Sequence, residues 1–507
     1  MKKLQICIID LIHNGPSNSL YRRIMFPNYI SIMPQIIGVW CMEEGHDVEY
    51  SIFTGSQDLQ KLIPNQADLV FISSFTYTAQ LAYALSNYAR RQGIVTILGG
   101  PHARSYPDDA RQYFDYVLGL TNKDLIKDLL SSFEINSPLG IQLSSSSQPS
   151  HIPGVQERWE LIKKVHNPLN IIKITPILGS FGCPYKCDFC VDSEIPYQPL
   201  DMEMIKKDLQ FLIKKIKHPR VSWYDPNFGV KFDSIMETIE SVVPSGNIDF
   251  IAECSLSGLN EERIKRLNRN GFKMIMPGIE SWFGYGNKSK TGSNFGIEKV
   301  KKIADQVNMI QRYIPQVQTN FMFGLDVDEG SAPFELTKKF IDLAPAVYPS
   351  FALLSIFGQG NKNNIKYETE KRIIPFPFHY MMSVHTMNII PKNYTWEEFY
   401  IYFIDLLTYC FSARAINNRF NANKALAPKW ITLLLSLSIG GRGKASHLSS
   451  VLKSLHKERE FQSFVKKETN QIPKFMIEKV KRDLGPMWHF LPNKTLTYNH
   501  NVLSKPI

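Results

Sequence analysis

Cysteine is scarce in this chain, seven in 507 residues, and nothing in the spacing of Cys7, Cys41, Cys254 and Cys410 suggests pairing. That excludes a disulfide-stapled secreted framework and makes the reducing cytoplasm the expected compartment. No apolar run is long enough to span a bilayer: WITLLLSLSIGG (430–441) falls short of the ~20 residues required. The opening MKKLQICIIDLI has no small-residue cleavage site and is interrupted by Asp10, so it reads as a first strand rather than a signal peptide. No GxGxxG follows that strand, which argues against a dinucleotide site, and no internal repeat is visible. Acidic residues are outnumbered, 47 against 58 lysines and arginines, for a net charge of +11. Nucleic acid, a membrane surface and an anionic substrate all suit such a balance. The densest basic stretch, about 442–482, is interleaved with glutamate and has no aromatic stacking pattern. It reads as a solvated helical surface, and no nucleic-acid partner is expected.

What is present is α/β periodicity. The length calls for two or three domains. In residues 1–135 five short apolar runs, LQICIID, DVEYSIF, DLVFISS, IVTILGG and DYVLGL, alternate with amphipathic stretches such as TAQLAYALSNYARRQG. Strands separated by helices predict a doubly wound parallel sheet, with its ligand site beyond the carboxyl ends of the strands. The loops there, SSFTYT (73–78) and GGPHAR (99–104), are rich in small and hydroxylated residues, which permit close approach of a large flat ligand; GGPH also fits a plain strand-to-helix turn. Residues 136–169 include SSSSQPSHIPG and read as a linker. From 170 to 358 the alternation resumes, with strands expected at 170–179, 220–225, 248–254, 273–279, 316–324 and 350–357. Helices are expected at 202–217, 231–243, 260–270, 295–312 and 333–344. Six βα units predict a partial (β/α)6 barrel of the TIM type with its site at the strand C-termini. Residues 359–507 read as mostly helical.

The first barrel strand is followed by GCPYKCDFCVDS (182–193), which gathers Cys183, Cys187 and Cys190. A closed zinc site takes four ligands, commonly as two pairs. Three thiols in eight residues suggest a metal centre with one position left open, although three cysteines alone also fit a zinc knuckle or a chance cluster.

CPYKCDFC resembles the CxxxCxxC signature of the radical S-adenosylmethionine superfamily, including the aromatic Phe189 before the last cysteine. The resemblance implies that Cys183, Cys187 and Cys190 hold a [4Fe–4S] cluster whose fourth iron is chelated by S-adenosylmethionine. Reductive cleavage of that molecule would give a hydrogen-abstracting 5′-deoxyadenosyl radical. In the same way YDPNF (224–228) offers Asp225 to the methionyl amine, and GIES (278–281) offers Glu280 and Ser281 to the ribose. NFMFGLDVDE (320–329) offers Gly324 to the adenine.

The preceding sheet, with NYISIMPQIIGVWCMEEGHDV and GGPHA, is similar to that of the cobalamin-binding members, over roughly residues 1–415. Ser73, Ser74, Tyr77, Gly99 and Gly100 are then the candidates for corrin contact. Two departures from the family pattern stand out. DLIHNG (10–15) has His13 one residue late against DxHxxG, and GLTNKD (119–124) replaces the usual acidic glycine loop after strand five. The resemblance implies a radical enzyme that methylates an unactivated carbon of a small molecule or natural product through methylcobalamin, with flavodoxin or ferredoxin as electron donor. The alternatives are a cobalamin-independent radical enzyme catalysing cyclisation, isomerisation or dehydrogenation, and an iron–sulfur electron-transfer or regulatory protein. Cys254, Glu253, Tyr380 and His385 are further candidates near the pocket, for which simple packing is the plainer reading.

Overall fold

A computed structural model describes residues 2–17, 30–132, 140–165, 173–361, 363–382 and 386–498. Six strands form the first sheet: β1 (Gln5–Leu11), β2 (Asp47–Phe53), β3 (Leu69–Ser74), β4 (Val95–Gly99), β5 (Tyr116–Leu118) and β6 (Ile141–Leu143). All pair in parallel, in the order β2-β1-β3-β4-β5-β6. β1 is buried along nearly its whole length, as expected of a central strand covered on both faces. The order reverses between β1 and β3, and the loops beyond the strand ends there form the crevice in which such sheets bind ligands. Asp10, at the end of β1, accepts from the Ser31 amide (2.8 Å) and hydroxyl (2.9 Å). It thereby anchors the N-cap of the helix Ile32–Glu43.

The second sheet is also fully parallel, in the order β14-β13-β12-β11-β10-β7. Its strands are β7 (Ile174–Ile177), β10 (Arg220–Trp223), β11 (Asp249–Ser255), β12 (Phe272–Glu280), β13 (Gln316–Phe323) and β14 (Tyr348–Leu353). Between β7 and β10 a two-stranded antiparallel ladder joins β8 (Ser180–Phe181) to β9 (Gln198–Pro199). β7 and β14 are edges, so the barrel is a partial one. The connecting helices Met202–Lys215, Phe232–Val242, Glu261–Arg269, Gly296–Gln311 and Ala332–Leu343 fall on the stretches expected from their apolar period. Helices dominate after 359, and among the described residues no single helix is long and apolar enough to cross a membrane.

The stretch expected to be a linker is more ordered than that. It supplies β6, which pairs with β5, and a helix, Val155–Val165. β6 is three residues long and only half buried, so it has no periodicity to read and exists by pairing alone. The helix is held from both sides. Buried Arg158 donates to the Gln35 side-chain oxygen (2.8 Å) in the first domain, while Asp208 of the barrel accepts from the Val155 amide (2.6 Å). The segment stitches the two sheets together.

Candidate functional site

The cysteine loop is an excursion between β8 and β9. Its entry requires Gly182, where φ is 62°. A Cβ there would come within 2.4 Å of the Pro196 carbonyl oxygen and 2.5 Å of that of Ile195, which only glycine avoids. Within the loop the Cys190 amide donates to the Cys187 carbonyl (3.1 Å). From beyond the last barrel strand, buried Asn361 donates its amide to the carbonyls of Asp188 (2.8 Å) and Cys190 (2.9 Å). The loop's two aspartates have partners outside it, Asp188 accepting from the Tyr285 hydroxyl and Asp192 pairing with Arg104 of the first domain (3.4 Å). The thiols are therefore the donors left to the loop.

All seven cysteines are free thiols. Cys183 and Cys190 are half-buried and Cys187 is buried. Burial pushes Cys187 up to about 11, with the Lys288 ammonium pulling it back, and burial also raises Cys190. A metal centre would take the proton's place on each sulfur. Among the described residues no group of three or more His, Cys, Asp or Glu side chains surrounds a single-ion position. A four-iron cluster takes one thiolate per iron, so its ligands need not converge on one point, and an all-sulfur donor set suits it. The buried Ser193 hydroxyl next to the loop also has no partner among the described residues.

The loop is held so closely by Asn361 that this contact has a measurable consequence. Asn361→Ala should lower iron–sulfur content about tenfold under limiting iron, the usual effect of losing an outer-shell partner. Wild-type cluster content in that variant would contradict the clamp.

The other strand ends converge on the same mouth. Asp225, expected to meet the methionyl amine, accepts from the Gly179 amide (2.8 Å) and the Ser180 hydroxyl (2.6 Å). It thus fixes the entry to the cysteine loop, and burial pushes its carboxyl up to about 6. Glu280, at φ 64°, pairs with Lys288. Burial alone would lower the Lys288 ammonium, yet Glu280 and the Cys187 and Cys183 thiols hold it above the ordinary lysine range. Glu253 is exposed although its strand is central, so its side chain faces the open interior of the barrel. Phe189 packs edge to face on Tyr285, 5.3 Å between centroids.

Ser281 and Gly324 are brought together through Asp328. Its carboxylate accepts from the Ser281 hydroxyl (3.3 Å) and from the amides of Gly324 (3.1 Å) and Leu325 (3.2 Å). Burial nonetheless pushes Asp328 up to about 7. Since this lies above the unfolded value of about 3.9, the group's contribution to stability is present below about pH 4 and lost as pH rises through about 7. The stability difference, wild type minus Asp328→Asn, should therefore fall as pH rises over that range in thermal melts. A pH-independent difference would contradict this assignment.

Facing the cysteine-loop exit are the carboxyl ends of the first sheet. A cavity of about 360 Å³ lies between them, lined by Ser73, Gly99, Gly100 and Thr121 on one side and by Ser180, Gly182 and Asp192 on the other. Gly99 is open to it, for an added Cβ would meet nothing within 4 Å. The remaining lining is largely apolar, including Ile8, Ile37, Phe71 and Leu118. Two expected contacts lie elsewhere. Ser74 is fully buried, its hydroxyl bonded to Thr78 (2.8 Å) and the Phe75 carbonyl (2.8 Å), and the Tyr77 hydroxyl donates to the Ile12 carbonyl (3.0 Å). Neither lines the cavity, because alternation along β3 turns Ser74 away from the face that Ser73 presents. His13 is outside the lining too, with Nδ1 against the Gly15 carbonyl (2.5 Å). Cys254 is buried, the Tyr380 hydroxyl donates to the Met476 carbonyl (3.4 Å), and His385 lies outside the described residues.

Asn361, Lys288, Asp328 and Arg104 were not identified from sequence. The Gly- and Asn-rich run after the last barrel strand, GQGNKNN (358–364), was the one available signal for Asn361.

Residues 177–330 match the family described as the Radical SAM superfamily. The chain is 23% identical over 296 residues to bacteriochlorophyllide d C-12(1)-methyltransferase of Chlorobaculum tepidum, covering 57% of this chain and 64% of that protein. It is 23% identical over 275 residues to the C-8(2)-methyltransferase of the same organism, covering 52% of this chain and 60% of that protein. It therefore spans less than two thirds of the length of these relatives. In fold it is similar to the cobalamin-dependent S-adenosylmethionine radical enzyme OxsB with aqua-cobalamin bound (TM-score 0.57, 13% identity, 99% of this chain and 84% of that one). It is also similar to the radical S-adenosylmethionine methyltransferase TsrM of Kitasatospora setae with cobalamin and a [4Fe–4S] cluster bound (TM-score 0.52, 14% identity, 73% and 78%). At these identities the structural likeness is one of fold.

Proposed function

We propose that this chain, whose residues 177–330 match the Radical SAM superfamily, is a cobalamin-dependent radical S-adenosylmethionine enzyme that methylates an unactivated carbon of a small-molecule substrate. The observation that carries this reading is the cavity shared by the strand ends of the first sheet and the exit of the cysteine loop. The first-sheet side would receive the corrin and the opposite side flanks the cysteine loop, so two cofactors would face one substrate space.

Cys183, Cys187 and Cys190 would hold the cluster. The mouth containing Phe189, Asp225, Glu280, Ser281 and Gly324 would hold S-adenosylmethionine, and Ser73, Gly99 and Gly100 would lie against cobalamin. When bound, these groups supply one-electron cleavage of the sulfonium, hydrogen abstraction and methyl transfer. The chain's own part is positional and electrostatic. Gly99 leaves room for close approach, Asn361 and Asp225 fix the two ends of the cysteine loop, and Ile8, Ile37 and Phe71 keep the cavity apolar. The Lys288 ammonium offsets the negative charge that three thiolates would bring to the mouth. The methyltransferase activity of the curated relatives, and cobalamin in two structures of this fold, support the reading. A flavodoxin or ferredoxin would supply the electron, and residues 1–135 and 170–358 would be the two cofactor-binding units.

The test is anaerobic reconstitution of the full chain with iron, sulfide and hydroxocobalamin, followed by an absorption spectrum and assay of 5′-deoxyadenosine. Retention of both chromophores together with deoxyadenosine formation is expected. A cluster and deoxyadenosine without corrin uptake would overturn the cobalamin assignment, and absence of a cluster would overturn the whole.

A further inference from the structure

Among the described residues, six of the twelve large apolar side chains left exposed fall between 426 and 439. Leu426 (70% exposed), Trp430 (53%), Leu434 (66%) and Leu437 (50%) follow one another at spacings of four, four and three, which places them on one face of the helix Leu426–Leu437. The face turned inward is the less apolar one. Pro428, Thr432 and Ser436 are buried, the hydroxyls of Thr432 and Ser436 donating to carbonyls one turn back (2.7 and 2.6 Å). Arg419 donates to Ser436 Oγ (3.0 Å). The helix is thus inverted relative to a water-facing one.

The charge around it is one-sided. From Leu406 to Lys457, 52 residues, there is no aspartate or glutamate, but there are eight lysines and arginines. Arg419 and Lys444 are buried, whereas Arg414, Lys424, Lys429, Arg442, Lys453 and Lys457 are exposed or half-buried. An apolar face on a segment whose own charges are all cationic matches an anionic lipid surface. It does not match a second copy of the same face, which would oppose like charges across the contact. At 12 residues the helix is too short to span.

We propose that this face docks on an anionic membrane surface, with the helix in the interfacial plane, Trp430 and Leu434 at the acyl boundary and the surrounding cations on lipid phosphates. The segment is tied to the starting end of β14, where Arg419 donates to the Val347 carbonyl (2.8 Å) and Asn423 to that of Ala346 (3.0 Å). That end is remote from the strand C-termini, so docking leaves the barrel mouth uncovered.

The test is co-sedimentation of the full chain with phosphatidylcholine vesicles, with and without phosphatidylglycerol. Binding to the anionic vesicles should be at least about tenfold stronger than to the neutral ones and should weaken with salt. It should shift emission to shorter wavelength in wild type relative to Trp430→Phe. Leu434→Glu, and separately Lys424→Glu with Lys429→Glu, should each weaken it about tenfold, while melting temperature and iron content stay at wild-type values. Lack of binding to anionic vesicles would overturn the proposal, as would equal binding by Leu434→Glu. So would a stable dimer in light scattering that Leu434→Glu dissolves, because the face would then belong to a second copy.

Discussion

Replacing Cys183, Cys187 and Cys190 together with alanine should abolish the iron–sulfur absorption of the reconstituted protein. It should lower 5′-deoxyadenosine formation by more than about a hundredfold, beyond the effect of losing an outer-shell partner. The same change at Cys7, Cys41 or Cys410 should leave both intact and cost about 1 kcal/mol of stability. The contrast follows from environment. Cys7 is buried, donates to the Leu62 carbonyl (3.0 Å) and is pushed up to about 12. Cys410 is pushed up to about 12 by full burial, and Cys41 is raised in the same way. Burial raises Cys187 and Cys190 as well. What sets Cys7, Cys41 and Cys410 apart is that each is a lone thiol in an apolar core, with no second cysteine near it along the chain to share a metal centre. The loop cysteines sit instead at the barrel mouth, on a backbone fixed by Gly182 and Asn361. Iron in the triple variant, counted by metal analysis at wild-type level, would contradict the assignment.

Gly99 offers the second large effect, and it separates the cofactor from the fold. Gly99→Leu should weaken cobalamin uptake about ten- to a hundredfold, corresponding to the 1–3 kcal/mol typical of overfilling a packed site. Cluster content and melting temperature should stay unchanged, because space is open around Gly99. Gly100 does not give a clean test. Its φ is 91°, and a Cβ there would lie 2.9 Å from the Ser74 carbonyl oxygen and 3.0 Å from the Ser74 amide nitrogen. A bulky residue at Gly100 therefore strains the sheet itself, with or without a ligand. Normal corrin uptake by Gly99→Leu would show that the cavity is not where cobalamin lies.

These two predictions draw on features of different legibility. Parallel strands buried on both faces leave unbroken apolar runs, so β1 to β5 and the six barrel strands could be read within a few residues. β6, short and half-exposed, could not. The cysteines announced themselves through spacing along one loop. Their clamp did not, because Asn361 reaches Cys190 across 171 positions of chain, and the Gly- and Asn-rich run around it does not say which distant segment it meets. Lys288 and Asp328 have nearer partners, Glu280 eight residues back and the Gly324 amide four back, but only the folded loops bring each pair together. The loop after β3 was located, but not which of its side chains faces the cavity: Ser73 does, while Ser74 and Tyr77 turn to backbone partners. A direction of that kind depends on register and on where the chain bends, and composition carries neither.

The central claim, methylation by a radical enzyme that uses cobalamin, is tested most directly with S-adenosylmethionine carrying a deuterated methyl group. The anaerobically reconstituted protein, a one-electron reductant and a small-molecule extract would be incubated with it and the products followed by mass spectrometry. The account predicts S-adenosylhomocysteine and 5′-deoxyadenosine appearing together, with the labelled methyl in a product that Gly99→Leu fails to form. Deoxyadenosine accompanied by an unlabelled, rearranged or desaturated product would contradict it.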